Sequence, residues 1–109
     1  MAYDEGLAER IREILNEKMH CTEKKMFGGL CFLLNGNMCC GIVGEELMVR
    51  VGPDAYAKCL KQKYAREMDF TGRPMKGMLF IATKGIEADQ DLQKWVNHCL
   101  NFVAGLPEK

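Results

Sequence analysis

The dipeptide Asn35-Gly36 stands between two apolar runs, "GLCFLL" before it and "NMCCGIV" after it. Asn-Gly suits a two-residue type I′ turn, in which both central residues take positive φ and the twist matches that of the flanking strands. A hairpin closed here dictates which residues face one another. Leu34 faces Asn37, Leu33 faces Met38, Phe32 faces Cys39 and Cys31 faces Cys40. A second tight turn at Gly44-Glu45 adds a third strand and pairs Val43 with Glu46 and Ile42 with Leu47. "KKMFGGLCFLLNGNMCCGIVGEELMVRV" is therefore expected to form three antiparallel strands.

Side chains alternate between the faces of a sheet, so this register sorts the residues. One face carries Cys31, Leu33, Met38, Cys40, Ile42, Leu47, Val49 and Val51, all apolar or thiol, and is the expected core. The other mixes Leu30, Phe32, Leu34, Cys39, Val43 and Met48 with Asn37, Glu46 and Arg50. It is too apolar for a wetted surface and too polar for a core. That composition points to a contact face for a protein partner or a second copy, with Leu30, Phe32, Leu34, Cys39, Met48 and Arg50 as its members.

Around these strands lie three helical patterns. Apolar residues at 7, 11, 14, 15 and 19 make a helical stripe from about Asp4 to Met19, opened by the acidic pair Asp4 and Glu5. Pro53 suits the first turn of a second helix, with Tyr56, Cys59 and Leu60 on its apolar side, ending near Gln62 to Tyr64. Leu92, Trp95, Val96, Cys99, Leu100, Phe102, Val103 and Leu106 repeat at helical spacing, with Gly105 and Pro107 as the stop. Between the second and third helices, "AREMDFTGRPMKGMLFIAT" predicts a short strand at Arg66 to Asp69, a Thr-Gly-Arg-Pro bend and a strand at Met75 to Ala82. The order α-β-β-β-α-β-β-α implies an α+β fold, a single domain over residues 1–109, with the helices mainly on one face of an antiparallel sheet.

Fifteen basic and fifteen acidic residues leave no net charge, so nothing draws the whole chain to nucleic acid or an anionic membrane. No apolar run reaches the length of a membrane span, and "MAYDEGLAER" is too acidic and polar for a secretory signal. A local basic excess does occur in Lys58, Lys61, Lys63, Arg66, Arg73 and Lys76, with Tyr64 and Phe70 among them. Phosphate contact is one reading and a solvated helix face is the simpler one. Within that segment Asp69 and Arg73 are spaced to pair and pin the loop.

The six cysteines form no C-x-x-C motif, which favours reduced thiols over a disulfide framework. Alternation places Cys39 and Cys40 on opposite faces, so their adjacency argues against joint chemistry. Cys31 and Cys40, opposed across the hairpin, are read first as core thiols and second as a redox-responsive bridge. His20 and His98 sit in no ligand or nucleophile motif, and "FGG" at 27–29 lacks the Lys-Ser/Thr of a phosphate loop, so close backbone packing explains it better. No catalytic constellation, cofactor motif or metal-ligand spacing emerges, and the chain is expected not to be an enzyme.

Met26-Phe27-Gly28-Gly29, Asn35-Gly36 with Met38 and Gly41, Leu47 to Val51, and Met68 to Gly77 with Gly72-Arg73-Pro74-Met75 together resemble the N-terminal domain of the TfoX/Sxy family. The resemblance implies a two-layer α+β fold of the YgaC/TfoX-N type, similar to secretion chaperones, in a bacterial cytoplasmic protein. Full-length relatives are regulators of natural competence, thought to act with a cyclic-AMP receptor transcription factor, and carry a separate C-terminal domain. The likeness extends to the N-terminal module alone. The expected role is that of an interaction module accessory to transcription regulation, with no catalytic or cofactor residues carried over.

Overall fold

A computed structural model describes residues 3–15, 21–26, 28–69 and 74–107, without the side chains of residues 26, 68, 69 and 74–76. Asp4 opens the first helix, its Oδ1 accepting from the backbone N–H of Gly6 at 2.9 Å and of Leu7 at 3.2 Å. That helix, α1, spans Glu5–Leu15 and buries Leu7, Ala8, Ile11 and Leu15; residues 16–20 of the expected stripe lie outside the described residues.

Four strands follow: β1 (Cys21–Met26), β2 (Gly29–Leu34), β3 (Asn37–Val43) and β4 (Glu46–Arg50). Helix α2 (Pro53–Leu60) is shorter than expected, and β5 (Ala65–Asp69), β6 (Pro74–Ile81) and α3 (Asp89–Val103) complete the order. The element order is the expected one with a strand added in front, β1. Its "CTEKKM" is too polar to show apolar alternation, and as an edge strand with exposed residues it needs none. All six strands form one antiparallel sheet in the order β1-β2-β3-β4-β6-β5.

Both hairpin turns form where expected. Asn35 and Gly36 take φ of 53° and 82°, the signs a type I′ turn demands, and Leu34 pairs with Asn37. Val43 pairs with Glu46 and Ile42 with Leu47 across the Gly44 turn.

The β2–β3 register, however, shifts between Phe32 and Leu33. Leu33 still faces Met38, but Phe32 faces Cys40, Cys31 faces Gly41 and Leu30 faces Ile42, so Cys39 is the extra residue of a β-bulge. The expected pairs Phe32–Cys39 and Cys31–Cys40 are therefore replaced, and the faces of β2 are exchanged. Leu30, Phe32, Leu34, Cys39, Cys40, Ile42, Leu47 and Val49 share one core with residues from all three helices. Cys31, Met48, Met78 and Phe80 form a second cluster on the opposite face, with Leu33, Met38 and Val43 packed against it. The bulge sets the large side chains of Leu30 and Phe32 beneath the helices, which plain alternation would have turned away.

Helix α1 is tied to the added strand by Arg12, whose Nε and Nη2 donate to Glu23 at 2.7 and 2.8 Å and which also meets Glu9. Hydrogen bonding to Arg12 holds the Glu23 carboxyl below its usual range. A depressed carboxylate stabilises the fold above its unfolded-state range and loses that contribution as pH falls through its folded value. Glu23→Gln should lower the melting temperature by a few degrees at neutral pH, because the pair is solvent-screened. The two melting curves should converge in acid; a difference that persists there would contradict the assignment.

Candidate functional site

The bulge makes a site that plain alternation does not contain. In an ordinary strand Cys39 and Cys40 would point apart, yet here both lie in the helix-side core, 1% and 0% exposed. Asn37 shares that face, its Nδ2 donating to the Pro107 carbonyl at 2.8 Å beyond the end of α3. Opposite them α3 presents Cys99, fully buried in the same core cluster. Three thiols from two elements thus share one apolar core.

Ladder pairing between β3 and β4 ends at Cys40 and Val49. Beyond that point Arg50 takes the place of a strand partner: its Nη1 donates to the Met38 carbonyl at 3.2 Å, and its guanidinium lies 5.4 Å from the Phe102 ring centre. Hydrogen bonds from Cys40 and then Cys99, aided by the Arg50 charge, pull the Cys39 thiol well below the usual thiol range. The other five thiols rise. Burial lifts Cys31 to about 11 and raises Cys21, Cys59 and Cys99, while Cys40 is raised first by its bond to Cys39 and then by burial. All six cysteines are free, and among the described residues no group of three His, Cys, Asp or Glu is arranged to hold a metal ion.

Most of the residues expected at a site have a definite place. Leu30, Phe32, Leu34 and Cys39 belong to the helix-side core and not to a contact face, because the register shift turns them inward. Met48 does lie on the opposite face but is 0% exposed, and Arg50 sits at the seam between β4, the bulge and α3. Cys31 and Cys40 fall on opposite faces, so the expected cross-strand bridge does not assemble. The basic segment is dispersed. Arg66 pairs with Glu46 and stacks 4.7 Å over Phe80, and Lys63 lies 5.2 Å over the Tyr64 ring. Lys58 and Lys61 remain exposed on and just after α2. Arg73, its pairing with Asp69 and the side chain of Lys76 lie outside the described residues, as does His20. His98 lies in an open polar groove along α3 with Gln90, Gln93, Lys94, Asn97 and Asn101, its ring 5.8 Å from Trp95. Among the described residues no carboxylate lines that groove to orient it as a base.

The bulged thiol pair is what the sequence reading missed. Gly41 was the available signal, since glycine within a strand marks a bulge or a close approach. A Cβ there would come 2.6 Å from Met48 Cε and 2.7 Å from the Leu30 carbonyl oxygen.

Three helices on one face of a six-stranded antiparallel sheet, with a second apolar face beyond it, define a two-layer α+β domain. Residues 13–103 match the TfoX N-terminal domain, and the chain belongs to that family. Neither the curated proteins nor the solved structures contain a match to it. Among the described residues no helix is long and apolar enough to cross a membrane.

Proposed function

We propose that the chain is a non-enzymatic interaction module, accessory to a transcription regulator as the TfoX/Sxy resemblance implies, and that it engages a protein partner through the face of its sheet opposite the described helices. The observation that carries this reading is the second apolar cluster. Leu33, Met38 and Val43 are half-buried over Cys31, Met48, Met78 and Phe80, on the side of the sheet away from the helix-side core. A patch of this kind, bordered by the exposed Lys24 and by the Arg66–Glu46 pair, has the apolar centre and polar rim of a protein interface.

The test is Leu33→Asp, which places a charge in the half-exposed part of that face. Light scattering and pull-down from native cells, run beside the unaltered chain, should show the folded variant losing self-association or a specific co-purifying protein. A folded variant with unchanged mass and unchanged partners would reject the reading. Direct nucleic-acid binding is the weaker reading, since Arg66 is neutralised by Glu46 and Lys63 lies over Tyr64.

A further inference from the structure

We infer that the corner where α2 passes into β5 docks an acidic segment of a protein partner, with Tyr64 as the aromatic anchor and Lys63, Lys84 and Lys94 as counter-charges. The surface is separate from the partner face proposed above, because none of these residues belongs to the second apolar cluster.

A series of contacts holds the corner together. From α3, the Lys94 Nζ donates to Gln62 Oε1 at 3.0 Å, and the Lys63 Nζ lies 5.2 Å from the Tyr64 ring centre. Tyr64 in turn packs against the short 3-10 turn Thr83–Gly85, so closely that a Cβ on Gly85 would come 2.9 Å from Tyr64 Cβ. The Tyr64 carbonyl accepts from the Ala82 N–H at 2.9 Å. The segments that carry Lys63, Lys84 and Lys94 therefore share one corner of the surface.

Tyr64 stands there at a cost to the fold. Its φ is 73°, in a region where glycine fits freely and a bulky side chain is strained. Among the described residues it is also the one large hydrophobic residue that is exposed, at 38%. Backbone strain of this kind is concentrated where a chain binds something. The charge around it is unpaired. Every ion pair among the described residues is made by an arginine, so the exposed Lys63, Lys84 and Lys94 have none, and Asp91 shares α3 with Lys94 without pairing with it. Lys58 and Lys61, at the end of α2, add to the same sign. A chain of zero net charge thus carries a local positive field here, which steers and orients a negatively charged partner.

The ring decides what that partner is. Single-stranded nucleic acid would stack its bases on an open aromatic face. Here the Lys63 ammonium already stands over the ring, and Arg66, whose fork would suit phosphate, is paired with Glu46. Lysine charges around an aromatic body match a peptide in which carboxylates flank an apolar side chain.

The test titrates the isotope-labelled full chain with a short peptide of glutamate and leucine, beside its glutamine and leucine counterpart, and follows the backbone amides by NMR. The acidic peptide alone should give saturable shifts at Gln62, Lys63, Tyr64, Gly85 and Lys94, with affinity falling several-fold between low and physiological salt. Lys63→Glu combined with Lys84→Glu should abolish them. Tyr64→Gly, which accepts the positive φ without strain, should stay folded and bind several-fold more weakly. Leu33→Asp should leave the titration unchanged, so the two surfaces are tested separately. The unaltered chain carries the first readout whatever the variants do. No saturable shift with the acidic peptide, equal shifts with the neutral one, shifts centred on other residues, or tighter binding of an oligothymidylate to the same amides would overturn the proposal.

Discussion

Phe32→Asp should yield no folded protein, whereas the same change one residue later, Leu33→Asp, should fold. Phe32 is 1% exposed in the helix-side core, and Leu33 is half-buried on the opposite face. Removing the Phe32 ring costs about 3–5 kcal/mol in packing. An unpaired carboxylate in its place adds a penalty of about 3–5 kcal/mol. Against a total stability of about 5–15 kcal/mol, that sum leaves little or no native state. For Leu33→Asp the loss should be about 1–2 kcal/mol, because the new carboxylate can reach water. Circular dichroism and urea melts of the pair decide the matter. Register without a bulge predicts the reverse order, so a folded Phe32→Asp beside an unfolded Leu33→Asp would show that the strand runs without one.

Trp95→Ala should be the most damaging change in the third helix. Trp95 is 2% exposed among Leu92, Val96, Cys99 and Val103, the stripe that seats α3 on β3 and β4. Truncating a buried Trp costs about 3–5 kcal/mol, since the cavity is only partly refilled. For a chain of this length about 1 kcal/mol corresponds to roughly 4–8 °C, so the melt should fall by well over 10 °C. The stems and charges outside the core, such as Lys94 at 5.1 Å from the ring centre, cannot replace that contact. Trp95→Phe should recover part of the loss, because its ring refills some of the cavity. Equal melts by circular dichroism for the alanine variant and the unaltered chain would show that α3 does not depend on this residue.

What could be read before the structure follows from where the physics is local. Asn35-Gly36 and the Gly44 turn were legible because turn chemistry is set by the turn residues themselves. Asp4, Pro53 and the stripe from Leu92 to Val103 marked helices because capping, a fixed φ and a 3.6-residue period each leave a sequence trace. Cys21–Met26 left none, being an exposed edge whose stability comes from its ladder with β2. The bulge was illegible for a different reason. One inserted residue conserves composition and turns while inverting the direction of everything on one side of it, and only three-dimensional packing of Leu30 and Phe32 under the helices selects it. The thiol cluster depends wholly on that inversion, and so was invisible with it.

The extra residue at Cys39 also marks where this chain can vary in length. Between the turn at Asn35-Gly36 and the turn at Gly44, loss of either adjacent cysteine would restore plain alternation. Leu30 would still face Ile42 and Phe32 the remaining cysteine, so Leu30, Phe32, Leu34 and Ile42 would all keep their places under the helices. A deletion of one codon here would remove the bulge and leave the side-chain directions of both strands intact.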